Sequence, residues 1–172
     1  ASLFGLELAS RHDVKGGRAL AARLISDHLS SEEHLEAVQQ ITGATLFVHK
    51  AGGAVTGVLG FFGVRAIGLS LLDAGGFDAR EFDLEIVARP GERPAAVYAF
   101  GVAASTKTAG SCVIRASAGI QEALYWALPI YTRVATDDGA RVLLGSLGFQ
   151  RMPNDPSLVR RPPRKYALEG FH

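Results

Sequence analysis

The stretch AAVYAFGVAA, Ala95–Ala104, carries no charge and no polar side chain except the phenol of Tyr98. A strand with one face in water alternates apolar and polar residues; this one does not, so both of its faces must be covered. That requirement places it in the middle of a sheet with layers on each side. The small, polar run STKTAG follows, and then SCVIRASAGIQEALYW, Ser111–Trp126, predicts a helix with Val113, Ile120 and Leu124 among its core contacts. A doubly buried strand feeding a helix through a tight turn is the basic unit of layered α and β architectures.

Short elements surround this unit. Leu3–Ala9 is strand-like, and Arg18–His28 sets Leu20 and Leu24 on one side of an amphipathic helix. SSEEHLEAVQQITG predicts a second helix, with Ser30 and Glu33 as a capping box, Leu35, Val38 and Ile41 as its apolar stripe and Gly43 as its stop. TLFVHKAGGAVTGVLGFFGV predicts a hairpin turning at Gly52-Gly53, where glycine takes a positive φ at little cost. Ala66–Pro94 shows the least pattern; it has room for a short helix and an extended EFDLEIVA before the turn RPGERP. Pro129–Thr136 reads as a strand, Asp137 or Asp138 opens a helix through GARVLLGSL, and Gly148 stops it. PNDPSLVRRPPRK reads as a loop and KYALEGF as a last short strand. The expected order is β–α–α–β–β–β–α–β–α–β(–β). With no repeat and no linker, residues 1–172 are expected to form one domain.

Composition removes several function classes. A formal net charge of +1 gives no bias toward nucleic acid or an anionic membrane. Gly, Arg, Lys or Asp interrupts every apolar run before it could span a bilayer, and ASLFGLELASRHD does not read as a signal peptide. Cys112 is the only cysteine, which rules out an intrachain disulfide and a cysteine-rich zinc site and fits a reducing, cytoplasmic setting. His12, His28, His34, His49 and His172 show no ligand spacing, so no metal is expected.

GVAASTKT, Gly101–Thr108, differs from the Walker A pattern only at Thr106, where that loop has a glycine. A β-branched residue does not suit the tight curl that wraps amides around phosphates, and IYTRVATDD is a poor source for the companion Asp. A P-loop nucleotide binder is therefore the weaker reading. Shifted by one residue, V-A-A-S-T-K-T-A-G-S-C from Val102 to Cys112 resembles the V-x-P-x-x-(R/Q)-x-x-G-x-(G/A) signature of the GNAT superfamily of acyl-CoA-dependent N-acyltransferases. Val102 and Gly110 match it outright; Ala104 stands at the Pro, Lys107 at the Arg/Gln and Cys112 at the last Gly/Ala. Downstream, DDGARVLLGSLGF resembles the family's N-x-x-A-x-x-(L)-Y-x-x-x-G-F, with Asp137 at the Asn, Ala140 at the Ala and Gly148-Phe149 closing it. The predicted hairpin and the element order agree, so the resemblance covers most of the chain.

The resemblance implies an α+β (α/β) fold with a mixed central sheet of about six to seven strands and about four flanking helices. It implies acetyl-CoA, or another acyl-CoA, as co-substrate and an amine of unknown identity as acceptor. Pantetheine would pair with the strand edge at Val102 and Ala104, and the pyrophosphate would rest on the turn amides of Thr108, Ala109, Gly110, Ser111 and Cys112. Lys107 would add a charge, or is a plain solvated loop lysine. Asp137 would lie beside the cofactor. The Tyr that often protonates the departing thiolate is here Leu144, which cannot donate a proton. Tyr98 is the substitute donor to consider, and a core tyrosine is the plain alternative. Glu81, Asp83 and Glu85 would recognise or deprotonate a cationic substrate, or are solvated charges. Cys112 reads as part of the turn rather than as a nucleophile. Arg160, Arg161, Arg164 and Lys165 would meet the CoA 3′-phosphate or form a solvated, Pro-stiffened loop; no interleaved aromatic residues support nucleic acid. An active N-acetyltransferase and a non-catalytic acyl-CoA-binding domain both follow from these residues, and an exposed terminal strand makes a homodimer the oligomer to look for.

Overall fold

A computed structural model describes residues 2–25, 29–124 and 127–164. One mixed sheet holds β1 (Ser2–Leu3), β2 (Leu6–Leu8), β3 (Leu46–Ala51), β4 (Ala54–Val64), β5 (Ala96–Ala104), β6 (Ile130–Arg133), β7 (Gln150–Met152) and β8 (Asp155–Arg161), in the spatial order β1-β2-β3-β4-β5-β6-β8-β7. Every neighbouring pair is antiparallel except β5 and β6. The helices are α1 (Arg11–Leu24), α2 (Glu32–Thr42), α3 (Ala66–Ala74), α4 (Lys107–Leu124) and α5 (Asp137–Gly145), and a 3-10 turn spans Leu84–Ile86. The charge-free stretch is central, as its composition requires. Val97 packs into a cluster with Val113, Ala116 and Ile120 of α4, and Tyr98 into the opposite cluster with Val38 of α2 and Leu72 of α3. Helices α1 to α3 thus cover one face of the sheet, while α4 and α5 cover the other.

The sheet has eight strands because the expected first strand is broken. Phe4 (φ 51) and Gly5 (φ 86) form a two-residue turn, and Ser2 pairs back onto Glu7. Helix α1 begins seven residues before the expected Arg18, because Ser10 and Asp13 form a reciprocal capping box. Its Gly16 and Gly17 do not break it; a Cβ on them would lie 3.1 Å from Val55 and 3.0 Å from Val58, so α1 rests its glycine side on β4. Asp13 is buried. Its bonds from Ser10, and the charge of Lys50, hold its carboxyl below the usual range. The cap of α2 is Ser31, whose hydroxyl accepts from His34 N–H at 3.1 Å, and not Ser30, whose hydroxyl donates to Ala79 O at 2.7 Å. Residue 28 lies outside the described residues.

The hairpin forms as expected, with Gly52 at φ 58 and Gly53 at φ 79. In the segment with least pattern the short helix is α3, whereas EFDLEIVA makes no strand, only the 3-10 turn and an isolated bridge from Val87 to Val64. PNDPSLVRRPPRK is not simply a loop, because Leu158 and Val159 bury on opposite faces and carry β8 between β6 and β7. The basic cluster therefore divides. Arg160 lies over the Tyr131 ring at 5.9 Å, Arg161 is buried against Phe149, and Arg164 pairs with Glu122 at 3.7 Å. Lys165 and the last predicted strand lie outside the described residues.

Arg161 is the costly member of that group. At 9% exposure its guanidinium donates to the Gln121 side chain, its Nε has no acceptor among the described residues, and burial pulls its pKa below the ordinary arginine value. No carboxylate pairs with it among the described residues. Replacing a buried, uncompensated charge by an apolar residue of similar length is commonly stabilising. Arg161→Met is therefore expected to raise stability by about 1 kcal/mol, read as a higher urea midpoint; a lower midpoint would show that the charge is compensated.

Candidate active site

Strands β5 and β6 pair only at Val97↔Ile130, Tyr98↔Tyr131 and Ala99↔Thr132. Beyond Ala99 they part, β6 continuing on β8 (Arg133↔Leu158) and β5 on β4 (Gly57↔Ala104). At the same point β5 carries one extra residue against β4. From Val58 to Gly60 β4 advances two positions, while from Ala103 to Phe100 β5 spans three. Gly101 (φ +61) sits in that bulge, the left-handed conformation that glycine adopts at little cost. Just past it, Val102 is 47% exposed in an otherwise largely buried strand. A strand edge that leaves its neighbour presents backbone N–H and C=O groups to whatever enters the gap.

The gap opens beside the start of α4, which begins at Lys107 and not at the expected Ser111. Thr106 is the reason, since its hydroxyl accepts the Ala109 N–H at 3.1 Å and its carbonyl the Gly110 N–H at 2.9 Å. Two amides of the expected cradle, Ala109 and Gly110, are thus used by the cap. Ser111 and Cys112 belong to the second turn of the helix. The N–H groups of Lys107 and Thr108, at the first two helical positions, find no acceptor among the described residues. They point with the positive end of the helix dipole, where an anion is favoured. Lys107 and Thr108 are exposed, Ala109 is buried, and a Cβ on Gly110 would meet Ala104 at an ordinary 3.7 Å. Thr106 therefore replaces a phosphate-loop glycine with a helix cap.

The remaining predicted residues divide between the core and the rim. Cys112 is buried, its Sγ 3.0 Å from where a Cβ of Gly5 would stand, so it faces the sheet. Asp137 is the exposed first residue of α5, which Thr136 caps through the Gly139 N–H at 3.0 Å. Leu144 is half-buried against the α4-side core. Tyr98 is 2% exposed and packs on Phe77 at 4.7 Å between ring centroids. Burial pushes its phenol well above the ordinary tyrosine value, partly offset by the charge of Arg133. That arginine is held in place by Asp155 at 2.8 Å and the Ser157 hydroxyl at 2.7 Å. Tyr131, beside Tyr98, donates to Asp73 at 2.5 Å, and burial pushes it up to about 12.

Asp83 caps the 3-10 turn through the Glu85 N–H at 2.9 Å, and Glu85 lies 3.6 Å from Arg65. Glu81 is exposed near His34. A concavity of about 500 Å³, an open groove of mixed charge, lies between α1 and α2, lined by Arg11, His12, Lys15, Glu32, Glu33 and Glu36. It includes no residue of the β5–β6 gap, and the convergence of exposed strand edge and open amides outweighs its size. No group of metal-ligating side chains occurs among the described residues, and no helix there is long and apolar enough to cross a membrane.

Two features of the site escaped the sequence reading. Gly101 was legible in principle, because a glycine inside a strand marks a bulge or a close approach. The cap role of Thr106 was hidden by its coincidence with a Walker pattern.

No protein-family model matches the chain, and no curated protein matches it in sequence. Solved structures do match. GphF, a GNAT-like decarboxylase in complex with isobutyryl-CoA, aligns with a TM-score of 0.56 at 16% identity, over 92% of this chain and 99% of that one. The N-acetyltransferase YlbP of Bacillus subtilis, in complex with coenzyme A, gives 0.50 at 10% identity, over 92% and 95%. An N-acetyltransferase from Staphylococcus aureus Mu50 gives 0.51 at 13% identity, over 90% and 93%. The chain has the GNAT fold. Its parted strands and capped helix are therefore set in the mixed sheet that the two sequence motifs implied.

Proposed function

We propose that the protein binds an acyl-CoA in the β5–β6 gap and transfers its acyl group directly to an amine. The observation that carries this reading is the bulged, exposed edge of β5 ending beside the open amides of α4. In this reading the backbone around Val102 and Ala104 pairs with the pantetheine amides. Lys107 and Thr108 offer N–H groups to the pyrophosphate, and the Lys107 ammonium adds charge. Ala109, Gly110, Ser111 and Cys112 supply the helix behind these contacts rather than the contacts themselves, and Asp137 borders the far side. The neutral amine attacks the thioester carbon, the nitrogen gives up one proton as the tetrahedral intermediate collapses, the C–S bond breaks, and CoA leaves as a thiolate that takes up a proton. Tyr98 is the only side chain of β5 that could supply that proton. At 2% exposure and packed on Phe77 it is poorly placed to do so, and the proton released by the attacking amine is the other source.

Leu144 favours a second reading. A decarboxylation of a 2-carboxyacyl-CoA breaks the C–C bond to CO2, leaves its electron pair on the α-carbon as an enolate that takes up a proton, and keeps the C–S bond, so it needs no acid at the sulfur. The decarboxylase similarity makes that chemistry worth testing beside acyl transfer. The chemistry separates the readings: acetyl-CoA with a panel of amines releases free thiol in the first, whereas malonyl-CoA loses CO2 with the thioester intact in the second. Tight binding without either product would leave an acyl-CoA-binding domain.

Binding itself is the first measurement. At ten times its Kd a ligand adds about 1.4 kcal/mol, or about 4 °C of Tm in a chain of this size. Acetyl-CoA is expected to give this shift and ATP with magnesium none. A shift with ATP alone would restore the P-loop reading.

A further inference from the structure

The β3–β4 hairpin holds the start of α4 by a route that the proposed function leaves unused. Its pairing runs His49↔Gly57 and then Lys50↔Val55, which makes Thr56 an extra residue in β4. The Thr56 carbonyl accepts both the N–H of Ser105, at 2.8 Å, and its hydroxyl, at 3.2 Å. The Thr56 hydroxyl lies 2.8 Å from His49 Nδ1, which it meets as donor or acceptor according to the ring tautomer, and 3.3 Å from the His49 carbonyl. A Cβ on Gly57 would stand 3.3 Å from the Cβ of His49 and 3.1 Å from that of Ala109. The histidine and the first turn of α4 therefore flank the same glycine. Ser105 immediately precedes the Thr106 cap, so the chain His49–Thr56–Ser105 ends where α4 begins.

We infer that His49 and Thr56 are positioning residues for the phosphate end of the acyl-CoA site. They fix Ser105, and with it the direction in which the Lys107 and Thr108 N–H groups point. The need for such an anchor follows from the sequence of the turn. Between Val102 and Ala109 there is no glycine, so the turn cannot curl around an anion by its own backbone freedom. A turn held from a neighbouring strand loses less conformational entropy when the anion arrives. The inference rests on the acyl-CoA reading and adds the source of the turn's rigidity.

The test compares two ligands by calorimetry: CoA, which carries the pyrophosphate, and acetyl-pantetheine, which lacks it. His49→Ala and Thr56→Val are expected to weaken CoA by about five- to tenfold, the span of one lost hydrogen bond. Acetyl-pantetheine should stay within about twofold, because its contacts lie along β5. His49→Asn should keep wild-type CoA affinity, since its side-chain amide offers both a donor and an acceptor near the place of Nδ1. Equal weakening of both ligands would overturn the inference by showing a general structural loss, as would CoA affinity that no variant changes. A wild-type protein that binds neither ligand removes the acyl-CoA reading, and this inference with it.

Discussion

Gly68→Val is expected to lower stability by about 3 kcal/mol, seen as a fall of about 9 °C in Tm. Gly68 is buried in α3, and a Cβ there would stand 2.5 Å from Val64 Cγ1 and 2.8 Å from Ile86 Cβ. The first obstacle is the tip of a side chain and could turn aside. The second is the branch point of a residue in the 3-10 turn and cannot move without its backbone. Helix α3 must therefore lift from the end of β4, and Leu72, now fully buried, would lift with it. A better helix propensity than glycine returns only about half a kcal/mol, so overpacking wins. Lifting α3 also draws Asp73 away from Tyr131, which leaves a buried phenol without its acceptor. Gly145→Ala is the matched control, because a Cβ there meets nothing within 4 Å and the residue lies in α5. Its Tm should hold or rise. An unchanged Tm for Gly68→Val would mean that α3 does not rest on Val64 and Ile86.

Much of this architecture is legible in the sequence because burial writes a pattern. Ala95–Ala104 announces a strand covered on both faces, and the structure places it at the centre with α2 and α3 on one side and α4 on the other. Gly52-Gly53 announces its turn by the conformations that only glycine takes freely. The misreadings arise where a local pattern is satisfied by partners distant in sequence. Ser30 and Glu33 look like a capping box, but the Ser30 hydroxyl finds Ala79, so Ser31 takes the cap. The apolar spacing of Leu20 and Leu24 starts the first helix at Arg18, yet Ser10 caps it at Arg11 and its Gly16 and Gly17 rest on β4. Pro-rich PNDPSLVRR looks like a loop until β6 and β7 present edges on both sides of it.

The candidate site divides in the same way. The two motifs mark where β5 meets α4 and where α5 starts, since small residues and a glycine stop are local signals. Which amides stay open is not local. It depends on whether Thr106 turns its hydroxyl to Ala109, and that moves the available N–H groups from Gly110 toward Lys107. Tyr98 shows the same limit. Its position in a charge-free strand is plain, but whether its phenol meets the gap or the core depends on Phe77 and Arg133, which belong to other segments.

Gly101→Val is expected to weaken acyl-CoA binding by about a hundredfold, or about 2.7 kcal/mol, at a smaller cost to folding. No atom lies within 4 Å of where its Cβ would stand, so sterics with neighbours are not the issue. The backbone is. At φ +61 a β-branched residue is strained by about 1–2 kcal/mol. The strand can relieve that strain by returning residue 101 to the β region, and valine favours the regular strand it would then form. Relief removes the extra residue from β5, and without it the register to β4 shifts by one position beyond Phe100. A one-residue shift turns side chains to the opposite face, so Val102 would leave its exposed place and the edge would be re-formed. It would also change the phase in which Ser105 reaches Thr56, and so the aim of the first α4 amides. Gly101→Ala tests the steps between. Alanine tolerates positive φ poorly but favours the strand less than valine, so it should lie between glycine and valine in affinity. Titration of the three proteins with CoA, alongside their urea midpoints, separates the two effects. Affinity that falls only in proportion to stability would mean that the bulge does not shape the gap.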